Sequence, residues 1–217
     1  MDRNVERAGS LETATLSDAL DRLNINGQCA NVRPHDSGFR MAGRAFTVQY
    51  GPAGVPAGTV GDFIDDVPGG SVIVLDNRGR EDATVWGDIL TEIAHRRGIA
   101  GTVIDGVSRD VALCLELKYP VFARNRWMRT GKDRVQVEGV NVAVAIGGVR
   151  VAPGDIIRGD ADGVVVLPRA HEEAILDAAE QIASAEDAIR AAVRGGKRLD
   201  LARSEFRYHS LQTRGKP

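Results

Sequence analysis

Apolar positions recur at two periods along this chain. Leu16, Ala19, Leu20 and Leu23 fall at i, i+3, i+4 and i+7, the stripe of an amphipathic helix that Ser10 or Thr13 is placed to cap. Residues 44–50 alternate instead, with Ala45, Thr47 and Gln49 opposing Phe46, Val48 and Tyr50, which predicts a strand. Residues 60–67 form a short helix candidate stopped by Pro68-Gly69-Gly70, and the apolar run 71–76 reads as a central strand ending in Asp76. Leu90, Ile93 and Ala94 give a further helical stripe, with Gly98 as its stop. Residues 101–105, Gly-Thr-Val-Ile-Asp, are long enough for a buried strand and too short for a helix. Residues 111–118 continue as a helix opened by Asp110 and broken at Tyr119-Pro120. Short strands with turn signals follow over 140–167. A long helix then runs from 169 to about 194 on Ile175, Leu176, Ala179, Ile182, Ala183, Ile189 and Val193, closed by Gly195-Gly196. Strands alternating with helices place the chain in the α/β class.

Three stretches lack such periodicity. Residues 1–9 are polar and expected to be loosely held. Residues 24–37 are rich in Asn, Gly, Pro and His and read as a loop, with His35 solvated in it. Residues 124–139 are polar and gather Arg124, Arg126, Arg129, Lys132 and Arg134, either a wall that receives an anionic substrate or a solvated loop. Asp155 and Asp160 are assigned to turn chemistry; Asp162 stays open.

Composition narrows the field. A chain of 217 residues, 43% hydrophobic, suits one domain spanning 1–217. With 28 basic against 30 acidic side chains there is no basic field, and aromatics are few, so nucleic-acid binding is not expected. Cys29 and Cys114 fit no zinc spacing and argue for a reducing compartment. No apolar run approaches a membrane span and no signal-type segment opens the chain, so a cytoplasmic protein is expected. No glycine-rich phosphate loop follows a strand, which removes support for a nucleotide cradle.

The chemistry concentrates in residues 85–110, V-W-G-D-I-L-T-E-I-A-H-R-R-G-I-A-G-T-V-I-D-G-V-S-R-D. Gly87-Asp88-Ile89-Leu90 sits at a helix start, and Asp105-Gly106 and Arg109-Asp110 sit at and just past a strand end. Ligands bind where such ends converge, because helix N-termini offer free amides there. Alone, Arg109-Asp110 would be a surface ion pair worth roughly 0–1 kcal/mol. Asp88, the amides of 87–90 and Asp105 strengthen the functional reading, since unpaired carboxylates at a strand end suit a hard divalent cation that keeps several waters.

Asp88, twenty intervening residues and then Arg109-Asp110, within I-D-G-V-S-R-D, resemble the RraA-like superfamily. The likeness is to its branch of 4-hydroxy-4-methyl-2-oxoglutarate aldolases and oxaloacetate decarboxylases. It extends to Thr15 through Leu20, Pro120 through Arg124, Asn141-Val142 to Gly147-Gly148-Val149, Pro153-Gly154-Asp155, and Asp160 through Pro168. The resemblance implies an αββα-like sandwich with a mixed sheet, similar to the swivelling phosphohistidine domain, plus a long C-terminal helix. It implies Mg²⁺ or Mn²⁺ held directly by Asp110, and a small 2-oxo acid chelating that ion. The amides from Gly87 through Asp88 and Ile89 to Leu90 would hold its remaining carboxylate charge. Arg109 would stabilise the developing enolate, and Asp88 would orient or deprotonate a water on the cation. Asp105 would support the corner. Retro-aldol cleavage and oxaloacetate decarboxylation share that pyruvate enolate.

The resemblance further implies a homotrimer or homohexamer in which a C-terminal glutamate reaches a neighbour's site. Glu186, in Glu186-Asp-Ala-Ile-Arg190, matches that word and is read as that glutamate ahead of the alternative, a solvated i,i+4 ion pair with Arg190. Residues 169–217, the helix and tail, are expected at a subunit interface. The loop 124–134, with Trp127, departs from the family's usual Ser- and Pro-containing loop. That departure keeps a specialised lyase on another 2-oxo acid in view. The reading from another class is a non-catalytic, ribonuclease-regulating binding protein; that branch tends to lack the aspartate found here at Asp88.

Overall fold

The computed structural model describes residues 2–206 and 208. In chain order the elements are α1 (Arg3–Ser10), α2 (Thr13–Arg22), β1 (Gln28–Cys29), β2 (Arg33–Pro34), β3 (Met41–Pro52) and a 3-10 turn at Asp62–Asp66. Next come β4 (Val72–Arg80), α3 (Asp88–Arg96), β5 (Gly101–Ser108), α4 (Val111–Glu116), β6 (Val121–Arg126) and β7 (Val135–Val140). The chain continues through β8 (Val144–Ile146), β9 (Val149–Val151), β10 (Ile156–Asp160), β11 (Gly163–Leu167), α5 (Glu172–Arg194) and α6 (Leu199–Glu205).

The result is a mixed α/β fold on a mixed sheet. Its strands run β1-β11-β10-β3-β4-β5-β6-β2, with β7 paired to the far half of β3. β3 to β6 are parallel neighbours joined by the 3-10 turn, α3 and α4, so the carboxyl ends of β4 and β5 share one edge with the start of α3. The flanking pairs are antiparallel. Each crossover must return the chain over the sheet face, which is why the strands between them are β-branched runs buried on both sides.

Two apolar cores result. One packs β3–β6 beneath α3, α4 and the β8–β9 hairpin around Ile73, Leu75, Ile104 and Phe122. The other packs α1, α2 and α5 on β10 and β11 around Leu16, Leu20, Ile156 and Leu176.

Several elements differ from the sequence reading. β5 continues to Ser108 rather than ending at Asp105, and all eight residues are buried. It can do so because Asp105 is satisfied there, pairing with Arg124 and accepting the Gly147 amide at 3.3 Å. The stretch 124–139 holds the end of β6 and most of β7. The candidate helix at 60–67 is only a 3-10 turn.

Residues 2–9 are not loose, and residue 1 lies outside the described residues. Asp2 caps α1 by accepting from the Asn4 and Val5 amides, Asn4 donates to Glu172 at 2.9 Å, and Arg7 clasps Glu180 at 2.7 Å and Asp177 at 2.6 Å. Ala8 is fully buried beneath them.

Asp160 is more than a turn residue. It is buried, accepting from the Thr13 amide at 2.8 Å, the Thr13 hydroxyl at 2.6 Å and the Asp162 amide at 3.1 Å. Burial opposes its charge, and the Thr13 donors outweigh that, holding the carboxyl below its ordinary value. Arg158 lies 3.8 Å away and donates to the carbonyls of Leu11, Met41 and Gly159. α2 therefore starts on a carboxylate from β10, not on a local cap. Asp155 does serve its turn, accepting from Ala152 and Arg169. The tail at 207 and 209–217 lies outside the described residues, and no helix among those described is long and apolar enough to cross a membrane.

Candidate functional site

The loop after β4 and the corner after β5 are laced together before either reaches α3 or α4. The Thr84 hydroxyl donates toward the carbonyls of Trp86 and Val107, both at 2.9 Å, and the Arg109 amide donates to the Trp86 carbonyl at 3.1 Å. The buried Trp86 indole donates to Thr91 at 2.9 Å, and its ring stacks on Tyr119. These bonds fix Gly87 as the residue before α3, directly against the Arg109-Asp110 corner. A Cβ on Gly87 would meet Asp110 Oδ2 at 2.8 Å and Arg109 Nε at 3.3 Å, so a larger residue would push these two side chains out of this close approach.

Asp110 itself is strained. It stands at φ 55°, ψ 39°, the left-handed region that aspartate enters only at a cost, and it makes no side-chain cap to α4. Its Oδ2 instead lies 3.2 Å from Arg109 Nε and 3.3 Å from the Asp88 amide. Both side chains of the pair are more than a third exposed, at 38% and 39%. An exposed ion pair of this kind adds little stability. The strain is therefore maintained by the surrounding bonds, a pattern found at functional positions.

The expected ring of free amides is only partly free. Asp88 N–H points to Asp110 and Ile89 N–H to Asp88 Oδ1 at 2.8 Å, while Thr91 N–H is taken by the Gly87 carbonyl. The Leu90 amide has no acceptor among the described residues. Two acidic side chains thus occupy donors that the sequence reading assigned to substrate.

Beside this corner opens a cleft of about 430 Å³. Gly87, Asp88, Ile89, Leu90 and Arg109 line one side. Asp110 does not line it; it stands against Gly87. On the opposite side only Lys132 had a sequence signal, as part of the basic stretch: Val60 precedes the 3-10 turn, Asp62, Ile64 and Asp65 come from it, and Thr130 and Lys132 come from the loop before β7. Only pairing explains their presence, since the Thr84 amide donates to the Arg129 carbonyl and Thr84 bridges Thr130. Of the arginine-rich loop, Lys132 faces the cleft. Arg124 is committed to Asp105, and Arg126 donates to the His35 carbonyl at 2.9 Å.

His35 is not a solvated loop residue. Its Nε2 meets the buried Ser108 hydroxyl at 2.5 Å, directly before Arg109. Burial, with the nearby Arg126 charge, lowers its pKa to about 4, so the ring is neutral at ordinary pH. Glu186 is not brought to this corner within the protomer. It pairs with Arg190 at 2.9 Å on α5, which packs on α1, α2 and α6. Cys29 and Cys114 are free and buried, and burial raises their thiols to about 12 and about 11, far from nucleophilic.

Among the described residues no three His, Cys, Asp or Glu side chains converge on one point. The donors at the corner are two solvent-reaching carboxylates, Asp88 and Asp110. That set fits a hard cation keeping most of its water, and does not fit zinc.

Comparison with known proteins relates the chain to a family. The model of RraA-like proteins described as Aldolase/RraA matches residues 13–166, which include the whole corner and stop short of α5. A provisionally named 4-hydroxy-4-methyl-2-oxoglutarate aldolase of Halalkalibacterium halodurans is 33% identical over 184 residues, 85% of each chain. Protein DlpA of Legionella pneumophila is 39% identical over 90% of this chain, which spans only 32% of that longer protein. Among solved structures, an uncharacterized Pseudomonas syringae protein superposes with a TM-score of 0.86 at 42% identity, covering 92% of this chain and 96% of its own. Streptomyces coelicolor RraAS2, described as an unusual member of the RNase ES inhibitor RraA family, gives 0.82 at 27% identity, covering 88% and 98%.

Proposed function

The chain belongs to the RraA-like family, and from that premise we propose that it is a divalent-metal-dependent carbon–carbon lyase acting on 2-oxo acids. The reaction is retro-aldol cleavage of a 4-hydroxy-2-oxo acid to pyruvate, with decarboxylation of oxaloacetate as the related activity. The observation that carries this reading is the Asp88, Arg109 and Asp110 corner, held in strained geometry at the mouth of a cleft.

Asp110, with Asp88 beside it, would hold Mg²⁺ or Mn²⁺, which when bound supplies Lewis acidity to the substrate's 2-oxo acid group. Arg109 faces the cleft with a permanent, planar charge, suited to the keto oxygen as negative charge develops on it. The Leu90 amide, at the positive end of α3, is available to a substrate carboxylate. Asp88 is the residue placed to take the proton of the 4-hydroxyl, directly or through water. The C3–C4 bond then breaks, its electron pair passes into the enolate opposite Arg109, C4 leaves as the carbonyl carbon of the second product, and Asp88 returns the proton to C3, directly or through water, releasing pyruvate.

The provisional aldolase name of the Halalkalibacterium relative supports this reading. The likeness to RraAS2 favours a second one, a protein that regulates a ribonuclease by surface contact. Asp88 distinguishes them, since a binding surface has no need of a second carboxylate at the cleft. A lactate-dehydrogenase-coupled pyruvate assay across 2-oxo acids and metals is the direct test. Metal-dependent pyruvate release supports the lyase; no release from any of them, with ribonuclease inhibition instead, replaces it. Glu186 on the last helix and assembly into a trimer or hexamer belong to the same proposal, with the helix serving a neighbouring site.

A further inference from the structure

The far side of the cleft bears on which 2-oxo acid is used, an inference that rests on the lyase reading above. A three-carbon 2-oxo acid head at Arg109 leaves most of the 430 Å³ unfilled. Much of the remaining wall is hydrocarbon: half-buried Val60, Leu90 and Ile93 present their side chains, buried Ile64, Val85 and Trp86 back them, and Thr84 and Thr130 are the neutral polar side chains beside them. The charged side chains lining it are Asp62, Asp65 and Asp88 against Arg109 and Lys132, three carboxylates to two cations. With Arg109 given to the keto oxygen, Lys132 is the one cation left in the lining, and it is exposed on the loop before β7. A second substrate carboxylate would meet a carboxylate-rich rim and lose its hydration against hydrocarbon, both unfavourable. An apolar group would gain from the same wall.

We propose that the substrate cleaved here is a monoanionic 4-hydroxy-2-oxo acid whose fourth carbon carries an apolar group, in preference to a 2-oxo dicarboxylate. Cleavage then gives pyruvate and an apolar aldehyde or ketone. The C3–C4 electron pair goes to the enolate, and the hydroxyl proton goes to Asp88 and from it to C3, with no other reactant required.

The test compares 4-hydroxy-2-oxo-4-phenylbutanoate with 4-hydroxy-4-methyl-2-oxoglutarate in the full chain with Mg²⁺, following pyruvate. Calorimetric binding of the uncleavable pair 2-oxo-4-phenylbutanoate and 2-oxoglutarate runs in parallel. The phenyl compounds should lead by about tenfold or more in kcat/KM and in affinity, the scale on which hydrophobic pockets discriminate. Ile93→Lys should reverse the preference. Because that variant exchanges a half-buried side chain, exposed Lys132→Ala accompanies it and should leave the phenyl preference intact.

Pyruvate mainly from the dicarboxylate, with dependence on Lys132, overturns this inference and leaves the lyase reading standing. Tighter binding of the phenyl compound with no pyruvate from either substrate or from oxaloacetate supports the apolar pocket and removes the lyase. Equal binding of the two uncleavable acids overturns the inference outright.

Discussion

The chain carries two arginine–aspartate pairs that look alike in sequence and have opposite fates in the fold. Arg158 and Asp160, at the end of β10, are buried, and every bond they make goes to the protein: Thr13, Asp162 and three backbone carbonyls. Arg109 and Asp110, just past β5, are half exposed, and the aspartate is held in a left-handed conformation with its carboxylate turned toward solvent and Asp88. The first pair spends its hydrogen-bonding capacity on joining the N-terminal helices to the sheet. The second keeps its capacity open in a conformation that costs stability. Residue type does not separate structural from functional pairs here; burial and bond satisfaction do.

The sharpest way to break this contrast is to remove one carboxylate from each pair. Asp110→Asn, or exhaustive chelation of the native protein, should abolish pyruvate release while leaving the melting temperature nearly unchanged. Wild-type turnover in either case would remove Asp110 from the role proposed for it. Asp160→Ala should do the reverse, costing about 3–5 kcal/mol of stability because Arg158 is left as an uncompensated buried charge. Chemical denaturation measures it, and a loss under about 1 kcal/mol would mean the pair is not the tether described.

How much of this was legible beforehand follows the range of the interactions. β3, β4, β5 and α5 could be read because their apolar periodicity is local. α1 could not, since its partners Glu172, Asp177 and Glu180 lie about 170 residues away in sequence. The same distance hid the role of Asp160, which is 147 residues from Thr13. At the site, Gly87 to Leu90, Arg109 and Asp110 stood out because a strand–helix corner compresses them into one stretch. The opposite wall, from Val60 to Asp65 and Thr130 to Lys132, comes together only through strand pairing and carries no motif. Its apolar character therefore entered with the structure.

Arg109→Lys sharpens the comparison from the functional side. Lysine keeps the charge and loses the planar fork, so substrate attraction persists while the developing oxyanion is met poorly. Turnover should fall on the order of 10²–10³-fold with a much smaller rise in KM, as for loss of one oxyanion donor. Both aldol cleavage and oxaloacetate decarboxylation should fall together in steady-state kinetics. A variant that lost one and kept the other would separate the two reactions and end the common-enolate scheme.

The smallest effect concerns how each pair is supported. Asp160 rests on Thr13, which does not titrate in the working range; the strand end before Arg109 rests on His35, which does. His35 has its folded pKa lowered from 6.5 to about 4 by burial first and the Arg126 charge second. Below about pH 6.5 the unfolded chain takes a proton that the folded chain refuses until about pH 4. Stability from this group is therefore complete above the unfolded value and declines as pH falls through that window. The ring is partly open to solvent, so the loss between about pH 7 and about pH 5 should be on the order of 1 kcal/mol, less than the full linkage value. Asp160 and Glu172, whose carboxyls are held below their ordinary values, begin to lose their contribution only nearer their ordinary pKa values, 3.8 and 4.5. Denaturation curves of the native chain and His35→Asn across that range separate the two windows. The variant should show a flatter profile between about pH 7 and about pH 5 and the same collapse at lower pH. An unchanged slope would show that the His35–Ser108 contact does not discriminate against protonation, and that both pairs rest on supports insensitive to pH.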